Sequence, residues 1–192
     1  MERPDTKTQI LDVAQDLIQR RGVNGMSFKD ISESIGIQRA SIHHHFETKE
    51  KLLEALMTRY THEYGNAIEE IVASDSSAKN KLTRYMKLFL KTAEADPPEK
   101  ACMCGMLAAE IDSIGKDAAK LVVDYSELCV KQVSKILDQG KKDGEFQFNG
   151  DPKVMARMIF SFLEGGLIFV RANGNKQQFK AMTNQVFKLI EV

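Results

Sequence analysis

The stretch SFKDISESIGIQRASIHHHFETKEK, residues 27–51, determines the fold that this sequence predicts. Ser27 with Asp30 three positions later is typical of a helix start, because the two residues can cap free backbone N–H groups. Gly36 is typical of a helix end, since glycine adopts the left-handed conformation without strain. Apolar residues recur at helical spacing on either side of this turn. The pattern predicts a helix-turn-helix, the arrangement in which many proteins present one helix to DNA.

The second helix of this stretch, from about Gln38 to His45, has few side chains suited to a core. We expect three residues to face inward: Ala40, Ile42 and Phe46. Five others present hydrogen-bonding groups outward: Gln38, Arg39, Ser41, His43 and His44. In a major groove, arginine can bridge guanine, glutamine can bridge adenine, and serine can bond a base or a phosphate. Gln38, Arg39 and Ser41 are therefore predicted to contact bases.

A third helix is predicted to begin near Thr48, which can cap it, with Lys49 beside its free N–H groups. Such a helix start is a site for an anion such as DNA phosphate. The predicted phosphate contacts are Ser27, His43, His44 and Lys49. One alternative is an ordinary surface helical hairpin. Another is a metal site on the three consecutive histidines, but neighbouring helical residues point roughly 100° apart and do not converge on one ion. We predict no metal and no cofactor.

The run IQRASIHHHFETKEKLL, residues 37–53, resembles the DNA-binding domain of TetR-type (TetR/AcrR) transcriptional regulators, and the resemblance covers residues 6–56. His43 stands where this family usually has a tyrosine that contacts the DNA backbone. Histidine can donate to phosphate more strongly when protonated, so this contact is expected to depend on pH. Arg39 and Ala40 replace the commoner Lys-Gly pair, which changes the expected base preference.

Composition places few limits on function. The chain has 192 residues and a formal net charge of zero, and its first 60 residues are balanced between acidic and basic side chains, so global charge gives no support for nucleic-acid binding. Three cysteines without a secretory signal favour a reducing compartment, and we expect a cytoplasmic protein. The most apolar run, residues 154–170, contains Arg157 and Glu164 and is short for a bilayer span. No membrane association is expected.

The whole chain is predicted to be helical. Residues 1–47 form a three-helix DNA-binding domain in this interpretation, and residues 48–192 form a six-helix ligand-binding and dimerisation domain. The predicted helices outside the opening stretch span residues 6–21, 48–73, 101–114, 117–139 ended by Gly140, 152–172 and 177–190, and a further helix follows the loop SDSSAKN (residues 74–80) and stops at Asp96-Pro97-Pro98. The helix over residues 48–73 would continue from one domain into the other.

The helix over residues 152–172 is apolar almost all round and must be covered on more than one face. Gly165 and Gly166 would let another backbone approach closely. A second subunit is the simplest cover, and the resemblance implies the same, since TetR-type proteins dimerise through their last two helices. A two-fold dimer would place two recognition helices roughly 34–36 Å apart on a palindromic operator. The alternative is a monomer with a fully buried central helix.

Aromatic and sulfur-containing side chains recur on the helices of the predicted second domain. They predict a small, mostly apolar ligand, although ordinary core packing gives the same pattern. The predicted ligand-binding residues are Met57, Tyr60, Tyr64, Met86, Phe89, Met103, Met106, Tyr125 and Phe160.

The segment ACMCGMLAAE, residues 101–110, resembles one found in a branch of the TetR family whose cysteine, in some members, reacts with oxidants or electrophiles and releases DNA. Cys102 corresponds to that cysteine, and Cys104 would be a resolving thiol, whereas a buried structural role is the plainer interpretation of both.

The resemblance therefore implies a dimeric, ligand-responsive regulator of double-stranded DNA, most often a repressor, and the aromatic and sulfur-containing residues predict that the ligand releasing it is small and mostly apolar. A redox or electrophile sensor acting through Cys102 is the alternative. A thiol-dependent or metal-dependent enzyme belongs to a different class, and it lacks an acid–base constellation in the sequence. We predict no enzymatic activity.

Overall fold

The computed structural model describes residues 4–94 and 100–191, and these residues are almost entirely helical. Nine α-helices and one 3-10 helix lie within them: α1 Thr6–Arg21, α2 Phe28–Ile35, α3 Arg39–His45, α4 Lys49–Ala73, α5 Ala78–Ala93, α6 Met103–Ala109, the 3-10 helix Ile111–Ser113, α7 Lys116–Lys142, α8 Pro152–Asn173 and α9 Lys176–Ile190. The predicted all-α fold with an N-terminal helix-turn-helix is confirmed. The predicted stop at residues 96–98 lies outside the described residues.

Capping side chains define several helix starts as the sequence predicts. Ser27 and Asp30 form a reciprocal capping box at α2, and Gly36 ends that helix in the left-handed conformation with φ of 73°. The backbone N–H of Lys51 donates to Thr48 Oγ1 at 3.2 Å, at the start of α4. At α8, the Asp151 carboxylate accepts from two backbone N–H groups. Local chemistry therefore determines these boundaries.

Gly140 was predicted to end a helix, and this prediction is wrong, because α7 continues to Lys142. A Cβ atom at Gly140 would lie 2.0 Å from ring carbon Cδ2 of Phe146. Glycine is thus required here for space beside an aromatic ring. The helix predicted over residues 101–114 is also too long, since α6 ends at Ala109 and the 3-10 helix follows.

The described residues form two compact units. One contains those of Met1–His62 and Met103–Asp124, and the other those of Glu63–Cys102 and Tyr125–Val192. We call them the N-terminal unit and the C-terminal unit. In the N-terminal unit α1 packs on α2 and α6, and α2 packs on α3; in the C-terminal unit α5 packs on α8 and α9. The predicted functional division at residue 47 stays a prediction. Within the described residues, no helix has the length and apolar character that crossing a membrane requires.

Candidate functional site

Helix α3 exposes nearly all of its surface. Ile42 is its one buried residue, and Phe46 at its C-terminal end is also buried. Because these two residues are four positions apart, they lie on the same helical face. Ala40 is exposed, so the prediction that it faces inward is wrong; it lies two positions from Ile42 and points to the opposite side. We call α3 the recognition helix.

The predicted base-contacting side chains lie together at the start of the recognition helix. Gln38 is its N-cap residue but makes no side-chain capping bond, and Gln38, Arg39 and Ser41 are all exposed. His44 and His45 are exposed as well, with ring centroids 5.5 Å apart. These groups are positioned to reach a ligand outside the unit, and their contact with DNA stays a prediction.

His43 is oriented by two contacts. Its Nδ1 lies 3.2 Å from the carbonyl oxygen of Glu47, and its ring packs edge-on against Phe28 with centroids 5.0 Å apart. A carbonyl oxygen only accepts, so Nδ1 must carry the hydrogen in this contact. In neutral imidazole the other nitrogen, Nε2, is then an acceptor. Nε2 of His43 would donate to a phosphate only when the ring is protonated.

Ser27 is exposed, but its hydroxyl takes part in the capping box. The backbone N–H of Ser27 donates to Asp30 Oδ2 at 2.8 Å, and the backbone N–H of Asp30 donates to Ser27 Oγ at 3.3 Å. The hydrogen bonds from Ser27 hold the pKa of the Asp30 carboxyl below its usual range. Asp30 is thus a carboxylate at neutral pH that secures the start of α2.

Lys49 has a role that the sequence did not indicate. Its ammonium group donates to the carbonyl oxygens of Val23 at 2.6 Å and Met26 at 2.7 Å. Partial burial lowers the pKa of Lys49, while the nearby Glu110 carboxylate opposes this decrease. Lys49 thus ties the start of α4 to the turn before α2. Its predicted contact with phosphate is untested.

The carboxylate of Glu110 contacts the same turn, and the sequence analysis assigned it no such role. Its carboxylate accepts from the backbone N–H of Val23, from the backbone N–H of Asn24 at 3.3 Å and from the Asn24 side-chain amide at 3.2 Å. The residues are 86 and 87 positions apart in sequence, so no local pattern could reveal the contact.

The predicted ligand-binding residues are distributed over both units. Eight of them are buried, and Tyr64 is half-buried. The C-terminal unit contains Tyr64, Met86, Phe89, Tyr125 and Phe160, and the N-terminal unit contains Met57, Tyr60, Met103 and Met106. Within the C-terminal unit, the ring centroid of Phe89 lies 5.6 Å from Tyr85 and 6.5 Å from Phe160. Their role in binding a ligand stays a prediction.

A buried polar cluster accompanies these rings in the C-terminal unit, and the sequence analysis missed it. It consists of Tyr85, Tyr125, Cys129 and Glu164. Burial raises the pKa of the Cys129 thiol to about 12. Hydrogen bonds from Tyr125 and Tyr85 act to lower this pKa, and the Glu164 carboxylate raises it further. Burial likewise raises the pKa of both tyrosines. At neutral pH the thiol and the two phenols are therefore uncharged hydrogen-bonding groups.

All three cysteines are buried thiols. Cys102 directly precedes α6, as predicted, and Cys104 lies within α6 with its sulfur 3.9 Å from the carbonyl oxygen of Val122. Among the described residues, no group of histidine, cysteine and acidic side chains is suited to hold a metal ion.

Helices α8 and α9 expose large apolar side chains. These are Val154, Met158, Ile168 and Phe169 on α8, with Met182 and Leu189 on α9. We call this surface the α8–α9 face. The adjacent glycines of α8 differ in their surroundings: a Cβ at Gly166 would lie 2.4 Å from the Phe179 ring of α9, whereas a Cβ at Gly165 would have no neighbour within 4 Å. Gly166 thus accommodates a ring of the same chain, not another backbone as predicted.

Comparison with known proteins places this geometry in context. The family model "Bacterial regulatory proteins, tetR family" matches residues 10–56, and the model "Tetracyclin repressor-like, C-terminal domain" matches residues 78–186. The chain is 20% identical over 162 residues to the HTH-type transcriptional repressor NemR of Escherichia coli K12, covering 84% of this chain and 81% of that protein.

Two solved structures extend the similarity over nearly the whole fold. A TetR transcriptional regulator from Legionella pneumophila is 30% identical with a TM-score of 0.89, covering 100% of both chains. A TetR-family regulator from Agrobacterium tumefaciens is 28% identical with a TM-score of 0.91, covering 97% of both chains.

Proposed function

Because the chain belongs to the tetR family of bacterial regulatory proteins and is a DNA-binding transcriptional regulator, we propose that it is a dimeric repressor that a small, mostly apolar ligand releases from a palindromic operator. It acts in this proposal by binding and not by catalysis. The observation that carries the proposal is the recognition helix, whose polar side chains are exposed while Ile42 anchors it to the core.

Sequence recognition is assigned to the first turn of the recognition helix. Arg39 would bridge a guanine, and Gln38 and Ser41 would contact neighbouring bases. Ser27, His43, His44 and Lys49 would lie near phosphates, which position the helix but do not specify sequence. Since the net charge is zero, non-specific attraction to DNA is expected to be weak and to be lost readily in salt.

Dimerisation is assigned to the α8–α9 face. Isolated exposed apolar residues are ordinary, but a contiguous apolar surface on two adjacent helices is typical of an interface. Phe169 is 71% exposed and Leu189 69% exposed. An isologous two-fold dimer through this face would present two recognition helices to successive major grooves, which is why we expect a palindromic operator.

Effector binding is assigned to the aromatic core of the C-terminal unit. Phe89 and Phe160 would form the apolar wall of the site, and Tyr85, Tyr125 and Cys129 would offer uncharged hydrogen-bonding groups. Such a lining favours an apolar molecule that carries one neutral polar group. Helix α4 continues from the DNA-binding part of the chain to Ala73, so its displacement would carry the effect. Release requires that the ligand bind the two states with different affinity.

Fluorescence anisotropy with the purified full-length protein tests the proposal. The probe is labelled duplex DNA from immediately upstream of its coding region, at physiological salt, with shuffled duplex as competitor. We expect specific binding to a palindrome, at two protomers per site. Arg39→Ala should weaken it, and Arg84→Ala, which removes an exposed cation from α5, is the matched control. If the upstream and shuffled duplexes bind equally well, a selection from genomic fragments follows. The proposal is refuted if that selection enriches no palindrome.

The alternative is that an oxidant or electrophile acting on Cys102 causes release. It is favoured by the position of this thiol directly before α6, at whose other end Glu110 contacts the turn before α2. Loss of operator binding on mild oxidation should then disappear in Cys102→Ser and persist in Cys129→Ser. Release that persists in Cys102→Ser would exclude this alternative.

A further inference from the structure

The turn between α1 and α2, residues 22–26, is held on two sides by charged side chains from distant parts of the N-terminal unit. Val23 shows the arrangement most clearly, since its backbone N–H donates to Glu110 and its carbonyl oxygen accepts from Lys49. The Val23 side chain is itself buried. Both backbone polar groups of Val23 and its side chain are therefore engaged at once, and we call the arrangement the turn clamp.

The acidic side of the turn clamp depends on close approach. Gly22 has φ of 78°, and a Cβ atom there would lie 2.8 Å from both carboxylate oxygens of Glu110. Glycine thus provides both the backbone conformation and the space for the carboxylate. The Asn24 side chain extends the contact, donating to Glu110 at 3.2 Å and to Ser113 Oγ at 3.3 Å. The turn is bonded to the end of α6 and to the 3-10 helix after it.

The backbone around Glu110 fixes where its carboxylate can lie. The Glu110 N–H donates to the Leu107 carbonyl at 3.2 Å, and the Glu110 carbonyl accepts from the Ser113 N–H at 2.8 Å. Residue 110 therefore moves with α6 and the 3-10 helix as one short segment. A shift of this segment by more than about 1 Å would stretch its hydrogen bonds to the turn beyond bonding distance.

On the other side of the turn, Lys49 joins it to the start of α4. Lys49 is the first residue of α4, and its bond to Met26 O reaches the residue directly before the Ser27 cap of α2. The carboxylate of Glu110 also stabilises the charged form of Lys49. Loss of the Glu110 contact would therefore weaken both sides of the turn clamp, and the start of α2 would lose its fixed orientation relative to α1.

We propose that Glu110 is the positioning residue through which the segment of α6 and the 3-10 helix sets the orientation of α2 and the recognition helix on DNA. The proposal rests on the proposed function and adds its point of regulation. In the DNA-competent state the turn clamp is closed; displacement of the segment opens it and lets the recognition helix leave its productive orientation. If the turn clamp contributed only to folding, loss of Glu110 would instead lower the free energy of unfolding and would not selectively weaken DNA binding.

The sign of the effect on DNA binding distinguishes the turn clamp from general electrostatics. Glu110 is an acidic residue of the N-terminal unit. If charge alone mattered, removal of its negative charge should strengthen binding to DNA phosphates. If Glu110 instead positions the turn, removal of its charge should weaken DNA binding. The affinity lost through a misoriented recognition helix would exceed the affinity gained from the change in charge. Asp112→Asn is the matched control, since it removes the same charge two residues away at an exposed side chain.

The experiment compares full-length wild type, Glu110→Gln and Asp112→Asn in operator binding by fluorescence anisotropy, with thermal unfolding and hydrogen exchange of residues 22–26 on the same samples. We expect Glu110→Gln to weaken operator binding about ten-fold per protomer, the size of one lost charged hydrogen bond, and so about a hundred-fold for the dimer, with faster exchange in the turn. Asp112→Asn should bind at least as tightly as wild type. The thermal midpoint of Glu110→Gln should remain within a few degrees of wild type.

Glu110→Gln that binds the operator as tightly as wild type overturns the inference, and so does equal loss in Asp112→Asn. If Glu110→Gln fails to fold, Asn24→Ala replaces it, because this variant removes one side-chain donor and keeps the backbone contacts; we expect about a two-fold to three-fold loss of affinity, and no loss overturns the inference. Wild-type protein that binds no operator would instead refute the proposed function, and the inference would fall with it.

Discussion

Phe169 provides a quantitative test of the proposed dimer interface. Its side chain is 71% exposed on the α8–α9 face. A phenylalanine side chain can bury about 200 Å², so roughly 140 Å² is available for burial by a partner. At about 25 cal/mol per Å², complete burial would contribute about 3.5 kcal/mol per protomer and about 7 kcal/mol in a two-fold dimer. This is an upper value, because area does not convert fully into affinity.

The informative variant is Phe169→Ala, since alanine favours the helix and leaves the monomer fold intact. Partial closure of the interface would reduce the loss, and we expect about 2 to 4 kcal/mol, or about 30-fold to 1000-fold weaker dimerisation. Sedimentation equilibrium measures this directly. Val123→Ala is the matched control, because Val123 is 53% exposed but lies on α7 and not on α8 or α9. If Phe169→Ala and Val123→Ala dissociate alike, the reasoning about this face is refuted.

Three further predictions concern other parts of the chain. Arg39→Ala should reduce operator affinity by about 1–3 kcal/mol and relax the preference at one base position, measured with single-base operator variants; an unchanged preference would remove Arg39 from the base contacts. Because the pKa of Cys129 is raised to about 12, its thiolate fraction near pH 8 is about 10⁻⁴, and its alkylation should be roughly a thousand-fold slower in the folded than in the unfolded chain. The unfolded thiol loses its proton first on alkaline titration, so the free energy of unfolding should fall as pH rises toward 12, and Cys129→Ala should reduce that slope. Gly140→Ala should destabilise the protein in urea by about 1–3 kcal/mol through contact with Phe146, although the same change in an open helix stabilises by about 0.5–1 kcal/mol; a more stable variant would contradict the packing.

The parts of the fold that sequence predicted correctly depend on short-range chemistry. The capping box of Ser27 and Asp30, the left-handed Gly36 and the Asp151 cap each involve residues within a few positions of one another. Helix periodicity is equally local, so α1 begins and ends at the residues predicted. Such features can be deduced without knowing which segments meet in space.

Glycine shows why the remainder could not be deduced in the same way. Gly36 and Gly140 are chemically identical, yet one ends a helix by its dihedral angle and the other lies inside a helix because Phe146 leaves no room for a Cβ. The same ambiguity applies to Gly165 and Gly166, of which only the second faces a ring. Only the partner that packs on a glycine decides between the two uses, and sequence periodicity does not identify that partner.

The candidate site divides along the same line. Exposed polar side chains on a short helix are visible in sequence, and Arg39, Ser41 and His43 lie outward as predicted. The roles of Glu110 and of Cys129 depend on what surrounds them, because burial and a second charge determine whether a thiol is reactive or a carboxylate is structural. Cys102 could be selected from the sequence because it matches a family pattern. Cys129 matches no pattern, so its role could not be predicted.

The zero net charge and the turn clamp together bear on how such a regulator can release DNA. Without an excess of positive charge, operator affinity depends on how well the recognition helices are oriented more than on attraction to the DNA as a whole. In a two-fold dimer both turn clamps act on one operator, so a ten-fold loss per protomer becomes about a hundred-fold loss per dimer, about 2.7 kcal/mol. Couplings between effector and DNA are commonly 1–3 kcal/mol. Opening two turn clamps would therefore supply a coupling of the required size, with the helices themselves remaining folded.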